Sequence, residues 1–177
     1  MTSISLKTIG PEAVNTLQSI WINTFKEAYA GLHSEADIQS YCDINYSEEA
    51  AQAVLMDELS DCILAYVDGN PVGFYVVKHH NCPLGNFAEQ SSELKQIYIL
   101  ADHYGDGVGR ALYSDALKKI SARNRSAIWL LVSDLNSRAQ AFYKKQGFEY
   151  LGPGPVLEVG AEKLPSSVLG RAIEVKV

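Results

Sequence analysis

The chain has 177 residues, 47% hydrophobic and 20% charged, which excludes disordered and collagen-like classes and suffices for one domain with a substantial core. Fifteen Lys and Arg against twenty-one Asp and Glu leave a formal charge of -6, and with no basic patch to offset it a nucleic-acid partner is not expected. No basic segment followed by an apolar run is found at the start, nor any apolar stretch of membrane-spanning length, so the expectation is a cytoplasmic protein with no membrane partner.

Residues 4–9 alternate apolar and polar side chains like a half-buried strand, and Gly10-Pro11 stops it and opens a helix at the proline. Val14, Leu17, Ile20, Trp21, Phe25 and Ala28 then recur at helical spacing and give that helix one buried face. Residues 34–41 and 47–59 read as two further helices, each with a serine as N-cap and acidic side chains in the first turn. The apolar, β-branched runs 62–67 and 72–78 flank the turn Asp68-Gly69-Asn70-Pro71 and predict an antiparallel hairpin. Residues 79–91 are polar, contain Pro83 and Gly85, and predict a loop, the least ordered stretch of the chain.

Residues 93–100 form the next predicted strand, followed by a glycine cluster and a helix to about residue 122 with Ala111, Leu112, Leu117 and Ile120 inward. The short apolar run 127–132 predicts a strand buried on both faces. A helix over 137–146 ends at Gly147 in a left-handed stop, and 148–151 and 171–175 are the last predicted strands, joined by a Gly- and Pro-rich connection. Without repeat or linker, this order describes a single α/β domain over residues 1–177. The cysteines Cys42, Cys62 and Cys82 have neither zinc nor redox spacing and are expected to be free thiols.

Tyr104-Gly105-Asp106-Gly107-Val108-Gly109-Arg110 lies between a strand and a helix, which gathers backbone N–H groups at a helix N-terminus, a place suited to an anion. Glycine lets the main chain approach a phosphate and take positive φ. A Walker loop needs Gly-Lys-Ser or Gly-Lys-Thr, but Arg110-Ala111 follows the last glycine; a dinucleotide fingerprint fails in either glycine frame. A pyrophosphate grip without metal and a merely tight turn remain open on the glycines alone.

Three segments in order resemble the GNAT superfamily of N-acetyltransferases, and further residues resemble its polyamine acetyltransferase-like branch. Tyr104 to Gly109 resembles the signature R/Q-x-x-G-x-G/A, with Tyr104 departing at the first position; Glu93 to Leu100 resembles E-L-x-x-I/L-Y-V; Asn136 to Phe148 resembles N-x-x-A-x-x-F-Y-x-K-x-G-F. Thr24-Phe25 with Tyr29, and Leu157, Gly160 and Arg171 to Lys176, are similar to the polyamine branch. The resemblance implies an α/β (α+β) acyl-CoA N-acyltransferase fold: a mixed central sheet of about six to seven strands with helices on both faces, and acetyl-CoA as cosubstrate without a metal.

By the same resemblance, the strand ending near Leu100 splays from its parallel neighbour at 127–132, and the main chain of Ile97, Tyr98 and Ile99 holds the pantetheine arm. Gly105, Asp106, Gly107, Val108, Gly109 and Arg110 hold the pyrophosphate, where a helix dipole adds about 0.3–1 kcal/mol. Asn136 contacts the cofactor arm or simply caps its helix, and Tyr143, two turns on, faces the same way. Tyr143 is implied to be the acid that protonates the departing thiolate, its rival reading being a buried structural tyrosine. Glu93 is the candidate base for an ammonium acceptor, against an ordinary exposed strand carboxylate; His79 and His80, read as loop side chains, are further candidates. A small amine or polyamine is the leading acceptor and attacks the thioester directly; a protein N-terminus or lysine, or a non-catalytic acetyl-CoA sensor, are the alternatives. The state expected is monomer or homodimer, with the C-terminal strand available to pair across a dimer axis.

Overall fold

A computed structural model describes residues 3–85 and 87–173. The chain runs β1 (Ile4–Thr8), α1 (Val14–Tyr29), α2 (Glu35–Asn45), α3 (Glu48–Met56), β2 (Ser60–Val67), β3 (Asn70–Lys78) and β4 (Ser91–Ile99). It continues through α4 (Val108–Ala122), β5 (Ala127–Ser133), α5 (Ser137–Lys145), β6 (Glu149–Pro153), β7 (Leu157–Val159), β8 (Glu162–Leu164) and β9 (Ser166–Ala172). Short 3-10 turns at Pro11–Ala13 and Ala101–His103 lead into α1 and follow β4.

Seven strands form one sheet in the order β1-β2-β3-β4-β5-β9-β6, and β7 and β8 form a separate hairpin. Every neighbouring pair in the large sheet is antiparallel except β4 and β5. This is the mixed seven-stranded sheet with helices on both faces that the sequence predicts.

Each face carries its own core. Against α4 lie Ile63, Tyr75, Val77, Leu94, Ile128 and Leu130, with Leu112 and Ile120 supplied by the helix. Each such fully buried aliphatic side chain contributes about 1.5–3 kcal/mol over its exposed state. Against α1, α2 and α3 lie Cys62, Leu64, Phe74 and Val76 from β2 and β3. Helix α1 buries Leu17, Ile20, Trp21, Thr24 and Phe25, the three- and four-residue spacing of one helical stripe. The one hydroxyl in that stripe is satisfied inside the helix, where Thr24 Oγ1 donates to the Ile20 carbonyl at 2.7 Å.

Ser34 and Ser47 cap α2 and α3 as anticipated, each accepting from the N–H three residues on. Helix α3 stops at Met56, before the predicted residue 59, because Asp57 leaves the helical region and its carboxylate accepts from Leu59 N–H and Ser60 Oγ. At the β2–β3 turn both Asp68 and Gly69 take positive φ, the geometry that matches strand twist in a two-residue hairpin.

The C-terminal reading needs correction. The Gly- and Pro-rich connection contains the β7–β8 hairpin, whose Val159 and Leu164 are buried, and the last described strand begins at Ser166 rather than 171. Residues 174–177, which carry the end of the predicted strand and Lys176, lie outside the described residues. Strand β9 pairs with β5 from Ser166 to Ala172 and with β6 from Ser167 to Gly170, so both its edges are used up to Gly170, and β6 is the edge strand. Cys42, Cys62 and Cys82 are buried and unbonded, and burial pushes the Cys62 thiol up to about 12.

Candidate active site

The site begins where the sheet fails to close. Strands β4 and β5 pair only at Ser91↔Ala127, Ser92↔Ile128 and Glu93↔Trp129, and beyond Glu93 they part. Strand β4 nevertheless stays paired with β3 as far as Ile99. One side of its C-terminal half is therefore an open strand edge in the interior of a sheet, where unpaired N–H and C=O groups invite an extended ligand. Ile97, Tyr98 and Ile99 line this gap and are only partly buried, although their strand is central. A register shift at Val76/Val77 leaves Lys95 as the extra residue, and side chains beyond it continue with Ile97 and Ile99 toward α4 and Tyr98 toward α1.

The glycine turn stands at the open end of that gap. Gly105 and Gly107 have φ of +93° and +88°, and Gly107 is the N-cap of α4 with no side-chain cap. A Cβ on Gly105 would meet nothing within 4 Å, so an open surface adjoins free helix-terminal donors. Gly109 lies against β4, where a Cβ would meet Ile99 Cδ1 at 2.9 Å and require that side chain to shift. Val108 is buried under the turn, whereas Asp106 and Arg110 are exposed. Tyr104, which departs from the family signature, carries the Arg138 guanidinium 3.6 Å from its ring centre. A cation thus stands beside the turn despite the missing signature arginine.

Helix α5 begins at Asn136, whose Oδ1 accepts from Ala139 N–H at 3.0 Å, so this side chain is an N-cap. Tyr143 is 9% exposed and packs with Phe142, Tyr113 and Phe148 on the α4 face. Burial raises its phenol above the ordinary tyrosine range, with Tyr113 and Tyr29 adding to the effect. Tyr29 comes from α1 on the opposite face and lies beside Tyr98, whose phenol is likewise held well above its usual range, first by burial. Tyr29 and Tyr98 belong to the α1 side of the sheet and Tyr143 to the α4 side.

Glu93 sits at the last paired position before the fork and is 8% exposed, not the exposed carboxylate that was its rival reading. Its Oε2 is 2.6 Å from His80 Nε2. His79 and His80 lie in the predicted loop between β3 and β4, and both rings are engaged there. His79 is 2% exposed, its ring held by Ser92 Oγ at 2.9 Å and Asp61 Oδ2 at 2.7 Å. His80 rests on Trp129, with ring centres 5.1 Å apart. The ends of this loop are held as well, because Trp129 Nε1 donates to the His80 carbonyl and Cys82 N–H to Ser91 Oγ.

A separate hollow of about 620 Å³ opens at the α1–α2 junction, lined by Lys26, Gly31, His33, Glu35, Ile38 and Gln39. None of the site residues named from the sequence lines it. Aromatic side chains join the two regions: Phe25 stacks on Tyr41 with centroids 4.5 Å apart, and Gln96 Nε2 reaches Tyr46 Oη at 3.5 Å. No group of three or more His, Cys, Asp or Glu side chains suited to a metal is found among the described residues, and no helix there is long and apolar enough to cross a membrane.

A splayed parallel pair beside a glycine turn defines a class of acyl-transferring folds, and comparison places the chain within it. The family model of the acetyltransferase (GNAT) family matches residues 19–148, and the chain belongs to that family. An uncharacterised N-acetyltransferase of Mycobacterium tuberculosis is 28% identical over 136 residues, 77% of this chain and 83% of the relative. The spermidine N(1)-acetyltransferase of Thermoplasma acidophilum is 25% identical over 151 residues, 83% of this chain and 89% of the relative. In fold, the chain resembles the crystal structure of the PaiA N-acetyltransferase of Thermoplasma acidophilum in complex with coenzyme A. The TM-score is 0.78 at 22% identity, covering 97% of this chain and 99% of that one. The protein is an acyltransferase of the N-acetyltransferase type.

Proposed function

We propose that the protein transfers the acetyl group of acetyl-CoA to a small aliphatic amine, a polyamine or a related compound, by direct attack in the fork between β4 and β5. The observation that carries this reading is the parting of the strands after Glu93, which leaves the edge of Leu94–Ile99 open beside a glycine turn. The residues present fit the cosubstrate. Main-chain groups of Ile97, Tyr98 and Ile99 suit the amide-bearing arm, and the N–H groups from Gly105 to Arg110, with the cation of Arg138, suit its diphosphate. In this reading Asn136, whose Oδ1 caps its helix, also serves the same arm.

Acetyl-CoA supplies an electrophilic thioester carbonyl; the protein positions it and moves protons. Glu93 takes the proton that an alkylammonium must lose before its nitrogen can attack. Tyr143, kept protonated by its burial, donates to the departing sulfur. The partly buried phenols of Tyr29 and Tyr98 and the carboxylate of Glu93 suit an amine bearing positive charge. Similarity to a spermidine acetyltransferase supports the acceptor class.

The test is thiol release from acetyl-CoA against a panel of polyamines, monoamines and peptides. Release with polyamines or short diamines is expected. Release with peptides only would overturn the acceptor class, and no release with any amine by protein that binds coenzyme A would leave a sensor instead of an enzyme.

A further inference from the structure

We propose that His80 is a positioning residue for Glu93, holding one carboxylate oxygen so that the other faces the amine; this rests on the reading of Glu93 as the base. The two groups come from different places in the chain, His80 just after β3 and Glu93 within β4 at the end of the parallel ladder. They meet at 2.6 Å, with the Glu93 side chain 11% exposed and that of His80 42% exposed. An ionised carboxylate only accepts hydrogen bonds, so Nε2 carries the hydrogen and Oε2 receives it. Oε1 keeps its lone pairs for a proton arriving from the fork.

The imidazole is held in turn. Its ring meets Trp129 edge to face, and Trp129 is the residue paired with Glu93 across the ladder. Trp129 Nε1 also donates to the His80 carbonyl at 3.2 Å, which fixes the backbone behind the ring. The same tryptophan that ends the β4–β5 pairing therefore orients the histidine that orients the glutamate. The other charged groups nearby are engaged elsewhere. His79 is bound to Ser92 and Asp61, and Arg123 to Asp61. Arg125 serves Asn81 and the carbonyls of Ser91 and His79, Lys78 pairs with Asp57, and Lys95 is exposed.

The proton count balances. The ammonium gives one proton to Oε1, and the freed lone pair forms the N–C bond as the C–S bond breaks. The Tyr143 phenol gives its proton to the departing sulfur, and the second proton lost from the acylated nitrogen restores the phenol. Glu93 then returns its proton to solvent, leaving His80 as it began. Loss of the N–H donor should slow the chemical step while leaving acetyl-CoA binding unchanged, because His80 lies apart from the glycine turn.

The experiment is a double-variant cycle on the full chain, with kcat, amine KM and coenzyme A affinity measured for E93Q, H80F, H80Q and E93Q/H80F. E93Q is expected to lose about 10²-fold or more in kcat. H80F, which keeps a ring against Trp129 without an N–H, should lose about 10- to 100-fold, and H80Q, whose amide nitrogen reaches the Nε2 position, should recover most of it. E93Q/H80F should be no slower than E93Q, since the histidine acts only through the glutamate. Full activity in H80F, or multiplicative losses in the double variant, would overturn the role of His80 alone. Full activity in E93Q would overturn both the base and its positioning. Should H80F not fold, H80A is compared with H80Q under the same criteria, with coenzyme A affinity as the check on fold.

Discussion

The Arg138 guanidinium lies 3.6 Å from the centre of the Tyr104 ring, joining the first turn of α5 to the glycine turn that precedes α4. The position where the family signature has Arg or Gln is thus filled by an aromatic platform that keeps a cation from another helix in place. A stacked cation at an exposed site is worth about 0.5–1 kcal/mol. Arg138→Ala and Tyr104→Ala are each expected to weaken coenzyme A binding about two- to fivefold, with a smaller salt dependence in Arg138→Ala. Calorimetry at two ionic strengths checks this; unchanged affinity in both variants would remove the pair from the binding surface.

Tyr143 is deeply buried and packs against Phe142 and Phe148. Tyr143→Phe keeps the ring contacts and removes only the hydroxyl. It should lower kcat by about 10²-fold while coenzyme A affinity stays the same. Steady-state kinetics beside a binding titration read the two effects separately, and an unaltered kcat assigns the proton to another donor.

Gly107 has room for a side chain but not the backbone for one, because a Cβ would find its nearest neighbour at 4.0 Å while φ is +88°. The cost of Gly107→Ala is therefore conformational, about 1–2 kcal/mol, equivalent to a drop of roughly 3–8 °C in Tm for a chain of this size. Relaxation of the turn away from positive φ would also scatter the N–H donors, so coenzyme A should bind more weakly. Thermal unfolding with and without coenzyme A tests both halves of the expectation.

The Asp61 carboxyl is held below its ordinary range, first by its hydrogen bond with His79 and further by the Arg123 charge, with burial opposing. A carboxyl whose folded pKa lies below its unfolded value of about 3.9 contributes stability that is complete above that value. The contribution is lost as pH falls through the folded pKa. Asp61→Asn should lower stability at neutral pH by about 1–3 kcal/mol, and its unfolding free energy should fall less steeply than that of the wild type below about pH 4. Urea titrations from neutral to acidic pH make the comparison; parallel curves would mean the pairing adds nothing to folding.

What the sequence reveals depends on how local the cause is. Gly105 and Gly107 announce their turn because positive φ is a property of single residues, and the stripe from Leu17 to Phe25 announces α1 because its period is written along one helix. The meeting of His80 with Glu93 depends on how a loop returns between β3 and β4, which no spacing encodes. Strand β9 was partly hidden because its inward residues include Ser166 and Gly170, so the alternation reads as polar and small instead of apolar. The β7–β8 hairpin has three residues per strand, too few for a period to emerge, and it settles by packing against α2. Tyr143 was recognisable by resemblance, but its packing between Phe142 and Phe148 depends on the chain's return after α5.

The ladder between β4 and β5 has three paired positions, so the sheet is two blocks, β1 to β4 and β5 with β9 and β6, sharing one short seam. An arm lying in the fork would supply the missing edge partner and bridge the blocks beyond the seam. Ligand-free protein should then breathe there first: amides of residues 94–99 directed at the gap would exchange deuterium early and become protected when coenzyme A is added, ahead of any change in β1 or β6.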